Sequence, residues 1–328
     1  MQRRVFISME SCGEIVRELI EVFERGRSFI VTSHVNPDGD AVGSMGALYY
    51  VLTSLGKEVL LYNKTGVPSR FEWLPFAPLV RTSLEGGEYS GIIFLDCGDR
   101  ERVGGGLEGV DSPLIINIDH HPTNTFFGDI NWVDPSMSSV GEMVAHLARA
   151  CEIAMRGEIA EAIYTAIISD TGGFTFSNTS AATLSIVSQI LEQGFDLDEF
   201  NRKYQRSWSL NRVHLHGLAM QRAHLVYEGQ VGVITIPYAL LERTATTSED
   251  CEGIINYVRQ IKGVKVAVVL REEQGGIKFS LRSWGEVDVS KIASSLGGGG
   301  HKNAAGGVLS LSLEEATSYL LDVVKENL

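Results

Sequence analysis

The chain has 328 residues, 44% of them hydrophobic, and a formal net charge of -13. That length exceeds one typical core and fits two domains. No stretch is apolar for long enough to span a membrane, and "MQRRVFISMESCGEIVRELIEVF" carries charges where a secretion signal would be apolar. So acidic a balance argues against long duplex nucleic acid gripped by its phosphates, yet leaves room for a short anionic substrate held by local cations.

In chain order, "EIVRELIEVFERG" places apolar residues at helical spacing and stops at Gly26, and "SFIVTSHV" reads as a buried strand. "HVNPDGDAVGS" follows, with His34, Asp38 and Asp40 on a tight turn, and a helix is predicted from Asp40 to Gly56. "KEVLLYN", "GIIFLDCGD" and "SPLIINIDHH" are further strands, and the last two turn polar only at their ends. "EIAEAIYTAIISDTGGF" changes to helical period and brings Asp170 to the point where the helix meets glycines; another helix runs from about Ala181 to Gly194. Continuous apolar strands alternating with helices indicate a doubly wound, mainly parallel sheet, whose ligands bind at the carboxyl ends of its strands.

The polar stretch 196–222 reads as linker and connecting helix. Beyond it, "QVGVITIP", "VKVAVVLREE" and "GIKFSLRSW" are strands, with "EEQGG" as a hairpin turn. "VDVSKIASSL" is a helix leading into "GGGGHKNAAGG", and "SLEEATSYLLDVVKENL" closes the chain with Ser312 and Glu315 spaced as a capping box. The expected fold is therefore α/β. A catalytic domain spans 1–195, a connection 196–222 and a smaller α/β domain 223–328, with the active site in a cleft between the domains.

His34, Asp38, Asp40, Asp96, Asp119, His120, His121 and Asp170 all fall at predicted element ends. Carboxylates this dense raise one another's pKa values unless a cation intervenes. Imidazole with carboxylate oxygen suits Mn²⁺ and, less selectively, Zn²⁺, Co²⁺ or Fe²⁺, and the lack of cysteine in the set argues against a thiolate zinc site. Cys12, Cys97, Cys151 and Cys251 form no CxxC pair and read as reduced thiols of a cytoplasmic protein. In "GGGGHKNAAGG", consecutive glycines let backbone N–H groups converge on an anion. His146 reads as a satisfied helix residue, while Trp208 and Trp284 are the tryptophans placed to stack a base.

"HVNPDGDAVGS", "LDCGDRERVG", "IDHHPTN" and "SDTGGFTFSNT" resemble the four motifs of the DHH phosphoesterase superfamily, and "GGGGHKNAAGG" is similar to the glycine loop of the DHH-associated C-terminal domain. The resemblance covers nearly the whole chain and is strongest to the branch of oligoribonucleases (nanoRNases) and pAp phosphatases. It implies two divalent ions, Mn²⁺ foremost with Mg²⁺ or Co²⁺ as alternatives. One would take His34, Asp38 and Asp96; the other Asp40, Asp96, His120 and Asp170. His121 would face the scissile phosphate with Asp119 supporting a histidine. Arg282, Gly298, Gly299, Gly300 and His301 would bind the substrate's far end, with Arg102 as a further phosphate contact. The implied substrates are short RNA and small nucleotides such as pAp, with a homodimer left open. Hydrolysis of linear or cyclic dinucleotides, and a silent nucleotide-binding regulator, are the competing readings. The fourth motif departs from many relatives, with Gly173 where they carry a bulkier residue and Thr175 where they carry arginine; this bears on substrate preference rather than on metal chemistry.

Overall fold

Short β-branched runs form the strands of a parallel sheet, and the helically periodic segments between them cover it. The computed structural model describes residues 13–205 and 208–328, without the side chain of His301. The chain divides into two units, Met1–Ser207 and Trp208–Leu328.

In the first unit the order is α1 (Glu14–Arg25), β1 (Ser28–Ser33), α2 (Gly39–Ser54), β2 (Glu58–Tyr62), β3 (Gly87–Glu88), β4 (Gly91–Leu95), β5 (Val110–Asp111), β6 (Ile115–Asp119) and β7 (Ile130–Val133), then α3 (Val140–Ala150), α4 (Glu158–Asp170), α5 (Ala181–Glu192) and α6 (Leu197–Gln205). The main sheet runs β2-β1-β4-β6-β7, and every neighbouring pair is parallel. After β2 the chain crosses back over β1 to place β4 on its other side. The strand order thus reverses between β1 and β4, the switch point at which open α/β sheets bind ligands.

Alternate strand residues serve two cores. Phe29, Val31, Ile93, Leu95, Ile116 and Ile118 share one with the helices. Ile30, Tyr62, Ile92 and Phe94 face the other, closed by segments around Leu84, Tyr89, Val103 and Val110. Small residues let the helices approach closely. A Cβ on Gly43 of α2 would lie 2.5 Å from the Ala162 carbonyl oxygen and 2.6 Å from the Ala166 nitrogen of α4, and one on Gly141 of α3 would collide with the Ala166 methyl.

The second unit contains α7 (Leu210–Met220), β8 (His224–Val226), β9 (Val231–Ile236), α8 (Tyr238–Thr244), α9 (Ile254–Arg259), β10 (Val266–Glu273), β11 (Gly276–Ser283), α10 (Val289–Ser295), β12 (Gly299–His301), β13 (Ala304–Leu309) and α11 (Leu313–Glu326). Its sheet order is β12-β13-β11-β10-β9-β8, parallel only between β9 and β10. Val233, Val268, Phe279 and Leu281 pack toward α10 and α11, whereas Ile234, Ile236, Ala267 and Val269 pack toward α7, α8 and α9.

The "EEQGG" turn forms as expected, with Glu273 paired to Gly276, and Ser312 with Glu315 makes the capping box of α11. The stretch 196–222 contains two helices: α6 buries Phe200 in the first unit's core, and α7 buries Leu215 in the second's. Three short elements carry no readable period in the sequence, namely β7, α8 and α9. The glycine run is more ordered than a loop, because its two ends pair as β12 and β13.

Candidate metal centre

His34 follows β1, Asp96 follows β4, and Asp119 ends β6 with His120 and His121 just beyond. The register places Ser33 beside Leu95 and Leu95 beside Ile118, so the three polar ends are neighbours. Two helix termini complete the ring. Asp38 caps α2, its Oδ1 accepting from the Asp40 and Ala41 amides at 3.0 and 3.1 Å. Asp170 is the last residue of α4.

Two imidazoles aim the same nitrogen at the carboxylates. His34 Nδ1 lies 2.9 Å from the Val35 carbonyl oxygen, to which it can only donate, so in the neutral ring Nε2 carries the lone pair. That Nε2 is 3.5 Å from Asp96 Oδ2. His120 repeats the arrangement, donating from Nδ1 to the Met137 carbonyl at 3.2 Å. Its Nε2 stands 3.6 Å from Asp40 Oδ2, 3.7 Å from Asp96 Oδ1 and 3.6 Å from Asp170 Oδ2. A ring nitrogen fixed as acceptor by a carbonyl behind it is the state a divalent ion requires.

His121 is oriented the other way. Its Nδ1 donates to Asp119 Oδ1 at 2.7 Å and is 3.4 Å from Asp96 Oδ1. Burial works against a charge on this ring, but the Asp119 hydrogen bond and Asp96 lift its pKa to about 9. Burial likewise works against ionised Asp119, yet the His121 and Asn124 hydrogen bonds hold it down at about 2. His121 and Asp119 therefore form a charged pair at neutral pH.

Burial also works against ionised Asp38, but His34, the Ala41 amide and Arg70 hold it below the usual carboxylate range. Asp40 and Asp170 are not held down in this way. Burial, and then Asp96, Asp170 and Asp38, push Asp40 well above the ordinary carboxylate range, against the pull of the Val140 amide. Burial is also the main reason Asp170 rises to about 6. Asp96 holds a left-handed backbone at φ 56, and its Oδ1 is buried with no hydrogen-bond partner. A buried acceptor without a donor is costly unless something cationic occupies the space beside it. Together with the two Nε2 lone pairs, this orphaned oxygen fits a divalent cation. His34, Asp38 and Asp96 bring one donor atom each within 4.8 Å of one another, and so do Asp96, His120 and His121.

Arg102 is exposed, and its charge bears on His34 and His121 while its carbonyl accepts from Val35 N–H at 2.8 Å. Arg282, Gly298, Gly299, Gly300 and His301 belong to the second unit. Arg282 Nη1 donates to the Leu281 carbonyl at 3.0 Å. The His301 backbone pairs with Ala304, and its side chain lies outside the described residues. Gly173 stands at φ 67 with open space where a Cβ would project, and the exposed Thr175 hydroxyl donates to the Gly172 carbonyl.

The model of the DHH family, N-terminal domain, matches residues 28–167, and that of the DHHA1 domain matches 231–328. A Thermus thermophilus protein named bifunctional oligoribonuclease and PAP phosphatase NrnA is 35% identical over 96% of this chain and 94% of its own. The chain belongs to the DHH family. A Bacillus subtilis relative of the same name is 31% identical over 93% of this chain and 96% of its own. The crystal structure of an exopolyphosphatase-related protein from Bacteroides fragilis superposes with a TM-score of 0.85 at 30% identity, covering 95% of this chain and 96% of the other.

The sequence reading of this DHH-family chain missed three asparagines that hold the ring in place. Asn124 donates to Asp119 Oδ2 at 2.6 Å, to Asn117 Oδ1 and to the Cys97 carbonyl. Asn63 donates to the His34 carbonyl at 2.9 Å. Asn178 donates to the Asp170 carbonyl at 3.0 Å and to its Oδ2 at 3.3 Å. Asn124 and Asn178 sit inside "IDHHPTN" and "SDTGGFTFSNT", so their position in those motifs was the available signal; Asn63 had none.

Proposed function

We propose that this DHH-family chain is a two-metal phosphoesterase that hydrolyses short oligoribonucleotides from the 3′ end and converts pAp to AMP. The observation that carries the proposal is the convergence of His34 Nε2, His120 Nε2, Asp38, Asp40 and Asp170 on Asp96, whose buried Oδ1 accepts no hydrogen bond, at the sheet's switch point. The printed names of the Thermus and Bacillus relatives supply the substrate class.

In this reading His34, Asp38 and Asp96 hold one ion and Asp40, Asp96, His120 and Asp170 the other, with Asp96 shared. The donor set favours Mn²⁺ and accepts Mg²⁺ or Co²⁺. When bound, such ions polarise the phosphate and make water acidic enough to attack it. The chain's own part is to aim its acceptors and to place one positive donor. His121, kept protonated by Asp119, faces the charge that develops on the phosphoryl oxygens. Arg282 and the glycine strand take the far phosphate, and Arg102 offers a further contact at the rim of the ring. Buried free thiols at Cys97 and Cys251 accord with a reducing, cytoplasmic setting.

The test is turnover on pAp, on pApA and on RNAs of increasing length, each with Mn²⁺, Mg²⁺ or Co²⁺ supplied. Turnover should fall with length and require the ion. His121→Ala should keep its metal content while losing about 10²–10³ in kcat, the usual cost of one charge-stabilising donor. A wild-type protein inert on every nucleotide with every ion would sink the proposal. Preference for a cyclic dinucleotide would move the substrate class and leave the metal chemistry standing.

A further inference from the structure

Trp284 stands just beyond β11 and is 47% exposed, though its side chain is fixed on one edge and one face. Its backbone N–H donates to the Lys265 carbonyl at 3.0 Å. Its indole Nε1 donates to the Arg259 carbonyl at 2.8 Å. The guanidinium carbon of Arg259, a residue only 7% exposed, lies 3.6 Å from the ring centroid. One ring face is therefore backed by a buried cation and the indole edge is tied down, which leaves the exposed area on the opposite side. An aromatic ring fixed in advance loses little conformational freedom when something flat stacks on it.

The neighbourhood says what that flat group is. Burial along β11 alternates, with Phe279, Leu281 and Ser283 inside and Ser280, Arg282 and Trp284 on the more open side. Arg282 and Trp284 share that side, about 6.6 Å apart at two residues of strand rise. Arg282 pairs across the sheet with Ala304 of β13, the strand that also pairs with β12 and its glycines. A planar stacking surface beside a cation in a chain of net charge -13 fits a molecule with a flat ring at one end and a phosphate at the other. A nucleotide has that shape. The sequence marked Trp208 as the other stacking candidate. It is 43% exposed and packs on His216 and Arg212, whereas Arg282 and the glycine run belong to the β11–β13 part of the sheet that Trp284 adjoins.

We propose that the outer face of Trp284 is a base-stacking subsite, which seats the nucleobase of the nucleotide whose phosphate Arg282 takes. This rests on the phosphoesterase reading above and adds the recognition of the base to it. Stacking reads any base by its π-face, so the subsite favours nucleotides over simple phosphates without choosing a sequence.

The experiment measures calorimetric binding of 5′-AMP and of ribose 5-phosphate to the full chain as wild type, Trp284→Phe and Trp284→Ala. Wild type should bind AMP more tightly than the sugar phosphate. Trp284→Ala should weaken AMP about 5- to 150-fold, the range of one base–aromatic stack, and Trp284→Phe should restore most of it. Ribose 5-phosphate should bind all three alike. Equal losses for both ligands, an unchanged AMP affinity in Trp284→Ala, or a change of oligomeric state with AMP binding intact would each overturn the subsite. Hydrolysis of bis-p-nitrophenyl phosphate by the same proteins keeps the two readings apart. A wild type inert on that ester and on every nucleotide, with each ion supplied, but still discriminating AMP through Trp284 would overturn the phosphoesterase reading and not the stacking.

Discussion

Asp96 carries two local penalties. Its backbone is left-handed at φ 56, and its buried Oδ1 has no hydrogen-bond partner. Left-handed geometry costs an ordinary L-residue roughly 1–2 kcal/mol, and such strain concentrates where function holds a residue in place. Asp96→Gly removes both penalties. Without added metal, its melting temperature should equal or exceed that of wild type, while turnover and stoichiometric metal binding are lost. A variant that melts several degrees lower without metal would show that Asp96 serves the fold instead. Gly299 gives a second test at the same scale. Gly298 and Gly300 are required by packing, because a Cβ on either would collide with the Gly306 or Ala304 carbonyl. A Cβ on Gly299 meets nothing within 4 Å. Gly299→Ala should therefore melt like wild type, and a rise in KM for pAp would report that a phosphate comes close to this backbone. Unchanged melting and unchanged kinetics would remove Gly299 from the substrate site.

Among the elements, the pairing of α2 with α4 brings the first motif to the fourth. Asp40 lies in the first turn of α2 and Asp170 in the last of α4, and each is 3.6 Å from His120 Nε2 through its Oδ2. Asp40 also accepts from the Val140 and Gly141 amides at 2.8 and 3.0 Å, which ties the start of α3 to the same point. An anion at a helix N-terminus satisfies amides that have no partner within the helix. Gly43 sets the spacing of the pair. Gly43→Ala forces its methyl against the α4 backbone, and overpacking of this kind costs about 1–3 kcal/mol. Metal affinity should fall along with thermal stability, because the two carboxylates no longer reach the same volume. A destabilised variant with wild-type metal affinity would mean that α4 can shift without moving Asp170. The sequence showed both helices through their periodicity, but their approach depends on Gly43, Gly141, Ala162 and Ala166, whose small size says nothing about which helix they meet.

For the molecule as a whole, the crowded carboxylates link stability to pH and to metal. Without a cation, Asp170 titrates near 6 and Asp40 is raised well above its ordinary range. Both have folded pKa values above the unfolded value of about 4, so the folded state binds more protons. Their contribution is fully present below pH 4 and is lost as pH rises, through about 6 in the case of Asp170. The His121–Asp119 pair acts differently. The His121 part is complete below about pH 6.5 and is lost toward 9, while the Asp119 part is complete above about 4 and is lost toward 2. Divalent metal displaces the protons of Asp40 and Asp170, so its binding strengthens with pH. The rise in melting temperature on replacing EDTA with Mn²⁺ should be clearly larger at pH 7.5 than at pH 5. A shift independent of pH would show that these carboxylates are not the ligands.

Much of this protein could be read before folding. The apolar runs "SFIVTS", "GIIFL" and "IINID" announce buried parallel strands because only residues buried on both faces are apolar without alternation. The polar residues at their ends marked the site, since a carboxylate there is tolerated only where something compensates it. Short elements such as β7, α8 and α9 were not legible, because four to seven residues do not complete enough turns or pleats to show a period. The division of labour within "DHH" was not legible from the residues alone either. His120 and His121 are adjacent and chemically identical in the sequence. One donates to the Met137 carbonyl and presents Nε2 to three carboxylates, and the other gives its Nδ1 proton to Asp119. Composition and periodicity determined which strands form and where charge gathers. Which nitrogen faces which oxygen was decided by the fold, because it depends on acceptors that other segments bring to the far side of each ring.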